Sequence, residues 1–285
     1  MDYNYYFDRI NFAEEGRRSF WDIHKKLEAP QYSNTIDEAF KAYDEGDKAF
    51  EAFMLPLVEK LGHPVEVLTS YFFIRISERT LEEYKKRGIS EDVFYASMDE
   101  ITISSRLGLD RHDIYGIPQY PERPWDRLIL DLKIFHLGRL QFEIFEAPVD
   151  AEIDGHKIAK GEKCINTHIQ GYSPLRDEDC EEAYELARKF FKKYFGIENP
   201  FFFCHSWLLH PWLSECLSEN SGIVKFQKKY KIFDVEENPK ETVHYVFFKK
   251  FDDPNLYPED TTLRRLVKRR LIDGAPMGMG HGVRL

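Results

Sequence analysis

Apolar residues in the first third of the chain recur at helical spacing. In EAFKAYDEGDKAFEAFMLPLVEKLG (38–62), Phe40, Tyr43, Phe50, Phe53, Met54, Leu57 and Val58 fall near a 3.6-residue period, and Gly62 can end the helix. HPVEVLTSYFFIRISERTLEEYKKRG reads as a second helix, opened by Pro64 and closed by Gly88. A third runs through SEDVFYASMDEITISSRLG. Ser90 is its candidate N-cap, and Glu91 and Asp92 complement the dipole of its first turn.

The pattern changes after GIPQYPERP (116–124), where three prolines mark a break. This predicts a helical N-terminal domain over 1–122 and a second domain over 123–285. WDRLILDLKIF (125–135) reads as a helix packing Leu128, Leu132 and Phe135. HLGRLQFEIF (136–145) reads as one strand. Arg139, Gln141 and Glu143 share one face, and Leu140, Phe142 and Ile144 share the other. AEIDGHKIAKG predicts a hairpin turning at Asp154-Gly155.

A strand KCINTHI (163–169), a loop QGYSPL (170–175) and an amphipathic helix over 177–196 follow. That helix has acids first, bases last and Gly196 as its stop. NPFFFCHSWLL (199–209) reads as a buried strand, and a helix starts at Pro211. KKYKIFDV and TVHYVFFKKF read as late strands and TTLRRLVKRRLIDG as a basic helix. APMGMGHGVRL reads as a flexible closing tail. The fold class is therefore α+β: a helical domain, then a mostly antiparallel mixed sheet flanked by helices.

Composition narrows the function classes. With 42% hydrophobic and 32% charged residues the chain is globular, and 23 Phe and 16 Tyr predict ring-built cores. A net charge of −10 argues against a general nucleic-acid binder. No apolar run reaches the length of about 18 residues that a membrane span requires. Cys164, Cys180, Cys204 and Cys216 form no C-x-x-C pair or zinc spacing, which predicts reduced thiols in a cytoplasmic protein. His24, His63, His112, His136, His156 and His244 show no H-E-x-x-H spacing, so no metal is predicted.

HLGRLQFE, THIQGYSPL, CHSWLLHPWL and SENSGIVKFQKKYKIF resemble a family of bacterial acyltransferase-domain proteins. In that family a helical N-terminal domain precedes a GNAT-like C-terminal domain. The resemblance is strongest over 125–285. It implies a sheet that splays between its fourth and fifth strands, with acyl-CoA or acetyl-CoA as cosubstrate in the opening. KCINTHI would be the fourth strand and FFFCHSW the fifth. The pyrophosphate would sit on Gln170, Gly171, Tyr172 and Ser173, at the start of the helix that opens at 177. The family's (Q/R)-x-x-G-x-(G/A) spacing is not reproduced, and Asp177, Glu178 and Asp179 open that helix.

Glu143 and His168, on strands expected to be near neighbours, are candidate bases for an attacking amine. Arg139, Gln141 and Asn166 are candidate substrate contacts. The alternative for Arg139 and Glu143 is an internal ion pair. Cys204 is a conceivable nucleophile with His168 as its base, or a packed core thiol. Ser206 is a candidate proton donor to a leaving thiolate, or a helix cap. Arg264, Arg265, Lys268, Arg269 and Arg270 read as a solvated helix face rather than a phosphate site.

Two functions are expected from this pattern. One is acyl-CoA-dependent N-acyl transfer to a small-molecule amine. The other is an inactive GNAT-like module that binds a small ligand or a protein partner.

Overall fold

A computed structural model describes residues 1–119, 122–153 and 155–285. Contacts divide the chain into Met1–Phe135 and His136–Leu285. That division falls after the helix that follows the proline cluster.

The first unit is helical: α1 (Tyr3–Arg9), α2 (Glu14–Leu27), α3 (Thr35–Glu45), α4 (Asp47–Leu61), α5 (Val65–Arg87), α6 (Glu91–His112) and α7 (Glu122–Leu130). The single helix expected over 38–62 is two, because Gly46 takes φ 114°, ψ 177° and breaks the ladder between α3 and α4. Pro64 and Gly88 bound α5, and the Ser90 side chain caps α6 by accepting from Asp92 N–H. Rings build the core: Phe50 packs on Phe72 and Phe73, and Phe7 on Phe20, with centroids 5.0–6.3 Å apart.

The second unit is built on a six-stranded sheet in the order β1-β2-β5-β6-β8-β7. Its strands are β1 (Ile134–Leu137), β2 (Leu140–Glu146), β5 (Lys163–His168), β6 (Phe202–Ser206), β7 (Lys231–Glu236) and β8 (Met279–Arg284). A separate ribbon pairs β3 (Ala151–Ile153) with β4 (His156–Ile158). The turn expected at Asp154-Gly155 lies partly outside the described residues, since Asp154 is not among them. β5 and β6 are parallel, joined through α8 (Asp177–Phe195); β2–β5, β6–β8 and β7–β8 are antiparallel. The short helices α9 (Trp212–Cys216) and α10 (Gly222–Gln227) follow β6, and α11 (Pro239–Phe247) and α12 (Thr262–Asp273) follow β7.

Four further expectations change. The stretch 125–135 is helical only as far as α7, because Leu132 takes φ 56° and the chain enters β1. HLGRLQFEIF is not one strand: it closes β1, turns at Gly138 (φ 66°) and Arg139, and opens β2. TVHYVFFKKF does not form a strand. Asn238 caps α11 there, and Val243, Val246 and Phe247 pack with Trp212, Tyr257 and Val267. The closing tail is an interior strand, β8, between β6 and β7. Its alternate glycines permit this: a Cβ on Gly280 would lie 2.6 Å from the Leu209 backbone, and one on Gly282 3.0 Å from Tyr230 Cβ.

One sheet face is covered by α8, where Tyr184 packs on Phe142 and Phe202. The other face is apolar at one end, where Cys164, Phe203 and Val283 pack with Ile158 and Phe145. At its other end that face carries polar side chains.

Candidate active site

Pairing between β5 and β6 stops early. The registered partners are Ile165 with Phe202 and Asn166 with Phe203. β5 stays paired to β2 as far as His168, and β6 to β8 as far as Ser206. Among the described residues, the ends of the two central strands have no register with one another, which leaves their facing backbone groups outside the ladder.

Strand alternation places Cys164, Asn166 and His168 on one face of β5, and antiparallel register extends that face to Phe145, Glu143 and Gln141 on β2. Glu143 lies directly opposite Asn166, with His168 on the diagonal. Glu143 Oε2 accepts from Asn166 Nδ2 at 3.3 Å and lies 3.0 Å from His168 Nε2. Asn166 Nδ2 is 3.2 Å from the same imidazole nitrogen. The Glu143 and His168 side chains are 21% and 20% exposed, which leaves both reachable from solvent. In a neutral ring that donates Nε2–H to Glu143, the basic lone pair resides on Nδ1. The carboxylate then stabilises the imidazolium formed when Nδ1 takes a proton. Gln141 is buried opposite His168 in the register.

Arg139 does not pair with Glu143. From the β1–β2 turn, its Nε donates to the Pro174 carbonyl at 2.8 Å, and its Nη2 to the carbonyls of Gln170 and Ser173 at 3.0 and 2.9 Å. Burial lowers its guanidinium pKa. Because C=O and N–H point oppositely in a trans peptide, these bonds turn the Gly171 and Leu175 N–H groups away from Arg139. Arg139 thus shapes the loop between β5 and α8. In that loop Gln170 is buried, while Gly171, Tyr172 and Ser173 are exposed. The Tyr172 ring stacks on Phe248 at 5.9 Å.

Acids near the start of α8 have cationic partners. Lys229 pairs with Asp177 at 2.5 Å and with Glu181, and Arg284 forks onto Glu181 at 2.6 and 2.9 Å. Bonding to Arg284 first, then to Lys229, holds the Glu181 carboxyl down at about 2. These cations offset part of the negative charge expected to oppose a phosphate.

Cys204 and Ser206 are not brought together with His168. Asn166 and Phe203 are partners in a parallel pair, so their side chains share a face, and Cys204 and Ser206 point to the opposite one. Cys204 is buried, and burial drives its thiol pKa far up, so a thiolate nucleophile is disfavoured there. Ser206 accepts from Leu208 N–H at 3.2 Å and caps the 3₁₀ turn Trp207–Leu209. The basic residues of α12 are largely engaged locally: Arg264 with Asp260, Lys268 with Glu259 and Arg270 with the Pro276 carbonyl.

Sequence reading missed two histidines on the polar face. His205 lies opposite His281 in the β6–β8 register, and the rings stack at 4.0 Å. Burial first, and the neighbouring His281 second, lower the His205 pKa. The usable signal was the period-two glycine pattern of GMGHG, a strand pattern set aside as a tail.

A mixed sheet whose parallel central strands part beside a helix-headed loop defines a GNAT-like domain. A family profile described as GNAT-like C-terminal domain matches residues 134–284, and one described as N-acyltransferase N-terminal domain matches residues 1–130. The chain belongs to the GNAT-like C-terminal domain family, with the N-acyltransferase N-terminal domain preceding it.

Solved structures share the fold. An acyltransferase in complex with decanoyl-CoA and teicoplanin is 21% identical, with TM-score 0.65, over 75% of this chain and 64% of its own. An acyltransferase in complex with decanoyl-CoA gives 21% and 0.66, over 77% and 66%. An acyltransferase mutant in complex with octanoyl-CoA gives 20% and 0.66 over the same shares. The chain thus spans just under two thirds of the length of these structures. No curated protein matches it.

Proposed function

We propose that this protein is an acyl-CoA-dependent N-acyltransferase acting on a small-molecule amine. The observation that carries this reading is the end of β5–β6 pairing beside the Glu143–Asn166–His168 cluster. The family assignment and the acyl-CoA in the structural neighbours support it, and the latter favour a medium-length acyl chain. The acyl-CoA pyrophosphate would lie on the Gln170–Gly171–Tyr172–Ser173 loop that Arg139 shapes. In the reaction, the amine nitrogen attacks the thioester carbonyl, His168 Nδ1 takes the proton the amine loses, and Glu143 stabilises the resulting imidazolium. The C–S bond then breaks, and CoA leaves as a thiolate that takes up a proton. Asn166 would fix the Glu143 carboxylate, and Gln141 would line the floor beneath His168. A cytoplasmic setting fits the four unpaired cysteines.

The departure from the family's phosphate-loop spacing and the acids at the start of α8 favour the second reading, an inactive binding module. Calorimetric titration with CoA, acetyl-CoA, octanoyl-CoA and decanoyl-CoA separates the two, together with thiol release in a panel of primary amines. The transferase reading expects saturable binding near micromolar Kd that depends on chain length, and amine-dependent release of CoA. Absence of both would establish the second reading instead.

A further inference from the structure

We propose that His205, His281 and Glu236 form a binding site for a divalent transition-metal ion of the zinc class. The three come from adjacent strands, β6, β8 and β7, and their ligand atoms lie within 4.8 Å of one another. The sheet itself fixes the pair of imidazoles: His205 and His281 are register partners, and their rings lie 4.0 Å apart at an interplanar angle of only 14°. Glu236 Oε1 lies 2.9 Å from His281 Nε2.

Zinc bonds of about 2.0–2.1 Å to nitrogen span ligand atoms about 3.4 Å apart in a tetrahedron, so the two rings turn out of their stack to bring both in-plane lone pairs onto one ion. Two imidazoles and one carboxylate are the donor set that zinc, cobalt and nickel favour. His205 and Glu236 are exposed and His281 half-buried, so an ion reaches them from solvent. Three protein ligands leave a fourth position for water or another small ligand.

The other charged groups facing the pair add negative charge. Asp234 is the β7 register partner of His281, and Glu241 of α11 acts electrostatically on His205. His168 opposes them from β5. The site does not depend on acyl transfer, and the proposal stands or falls separately from it.

The test is titration of the chelator-treated full chain with Co²⁺, followed by visible absorption, and with Zn²⁺, followed by calorimetry. One equivalent of Zn²⁺ is expected to bind at micromolar Kd or tighter, with Co²⁺ giving the intense bands of a four-coordinate site. His205→Gln and Glu236→Gln alter exposed side chains, and each should weaken binding at least about tenfold. His63→Gln, in the helical unit, should not. Thermal unfolding of each variant without metal checks that it is folded. Absence of saturable binding below about 100 μM in the wild type would overturn the site, as would undiminished affinity in folded His205→Gln.

Discussion

His168 and Glu143 meet on the diagonal of the β2–β5 pair, with Nε2 and Oε2 3.0 Å apart, while Asn166 occupies the position directly opposite the carboxylate. The amide therefore steadies the carboxylate from across the ladder, and the carboxylate orients the imidazole. Antiparallel pairing puts opposite Cβ atoms about 5 Å apart and diagonal ones about 7–8 Å apart, a span that a glutamate and a histidine bridge and shorter side chains do not.

Replacing His168 with Ala should lower kcat/KM for acyl transfer by roughly 10²–10⁴-fold, the usual worth of a general base. Glu143→Gln retains a carbonyl that can accept from Nε2–H but loses the charge that stabilises imidazolium. It should cost about tenfold or more in kcat/KM. Steady-state rates across pH check both, and wild-type rates in either variant would remove that residue from the mechanism.

Arg139→Ala removes three guanidinium-to-carbonyl bonds from the 170–174 loop. Two of the three are exposed, so each contributes less than the about 1.5–3 kcal/mol of a charged-group bond kept from water. Acyl-CoA KM should rise at least about tenfold, with a smaller change in kcat, because the loop positions the donor rather than the proton. Arg139→Lys should rescue little, since an ammonium cannot reproduce the planar fork. An unchanged KM in Arg139→Ala would detach the loop from donor binding.

Cys204→Ala should retain acyl transfer within about threefold of wild type. The thiol faces away from His168, and burial suppresses its ionisation. In the native protein, a thiol reagent should label Cys216 rapidly, since it is exposed, and Cys164, Cys180 and Cys204 only on unfolding. Burial also pushes the thiols of Cys164 and Cys180 up, to about 12 and about 11. Rapid modification of Cys204, coupled to loss of activity, would restore it as a reacting group.

Glu181 links stability to pH. Its folded-state pKa of about 2 lies below the ordinary 4.5, so the folded state binds this proton more weakly than the unfolded chain does. The stabilisation is fully present above the unfolded value and disappears as pH falls from about 4.5 to about 2. In Glu181→Gln, denaturation midpoints should fall less over that window than in wild type. Added salt should shrink the difference, because the side chain is 44% exposed. Parallel pH profiles for the two proteins would show that the Arg284 and Lys229 contacts do not hold in solution.

Local chemistry wrote much of this molecule into its sequence. Pro64, Gly88 and Ser90 set helix ends through backbone preferences that need no neighbours, and α8 announces itself by its acidic start, basic end and Gly196 stop. The order strand, loop, helix, strand around 163–206 was legible for the same reason, while Glu143 and His168 could be read only as lying on neighbouring or near-neighbouring strands. Gly46 was harder to read, because helical periodicity on both sides masked the break. Residues 242–251 carry β-branched and aromatic residues that favour a strand, yet a helix there buries Val243, Val246 and Phe247 against Trp212 and Val267.

Tertiary structure alone decided which faces meet. One residue's difference in register separates Cys204 from His168 and joins His205 to His281 across 76 positions of sequence, because strand side chains alternate with a period of two. It also turned Arg139 from a strand residue into the anchor of a loop 31–35 positions away. The period-two glycines of GMGHG are compatible with a strand but name no partner for it. The segment becomes one because Gly280 and Gly282 are the residues that let a backbone lie against Leu209 and Tyr230.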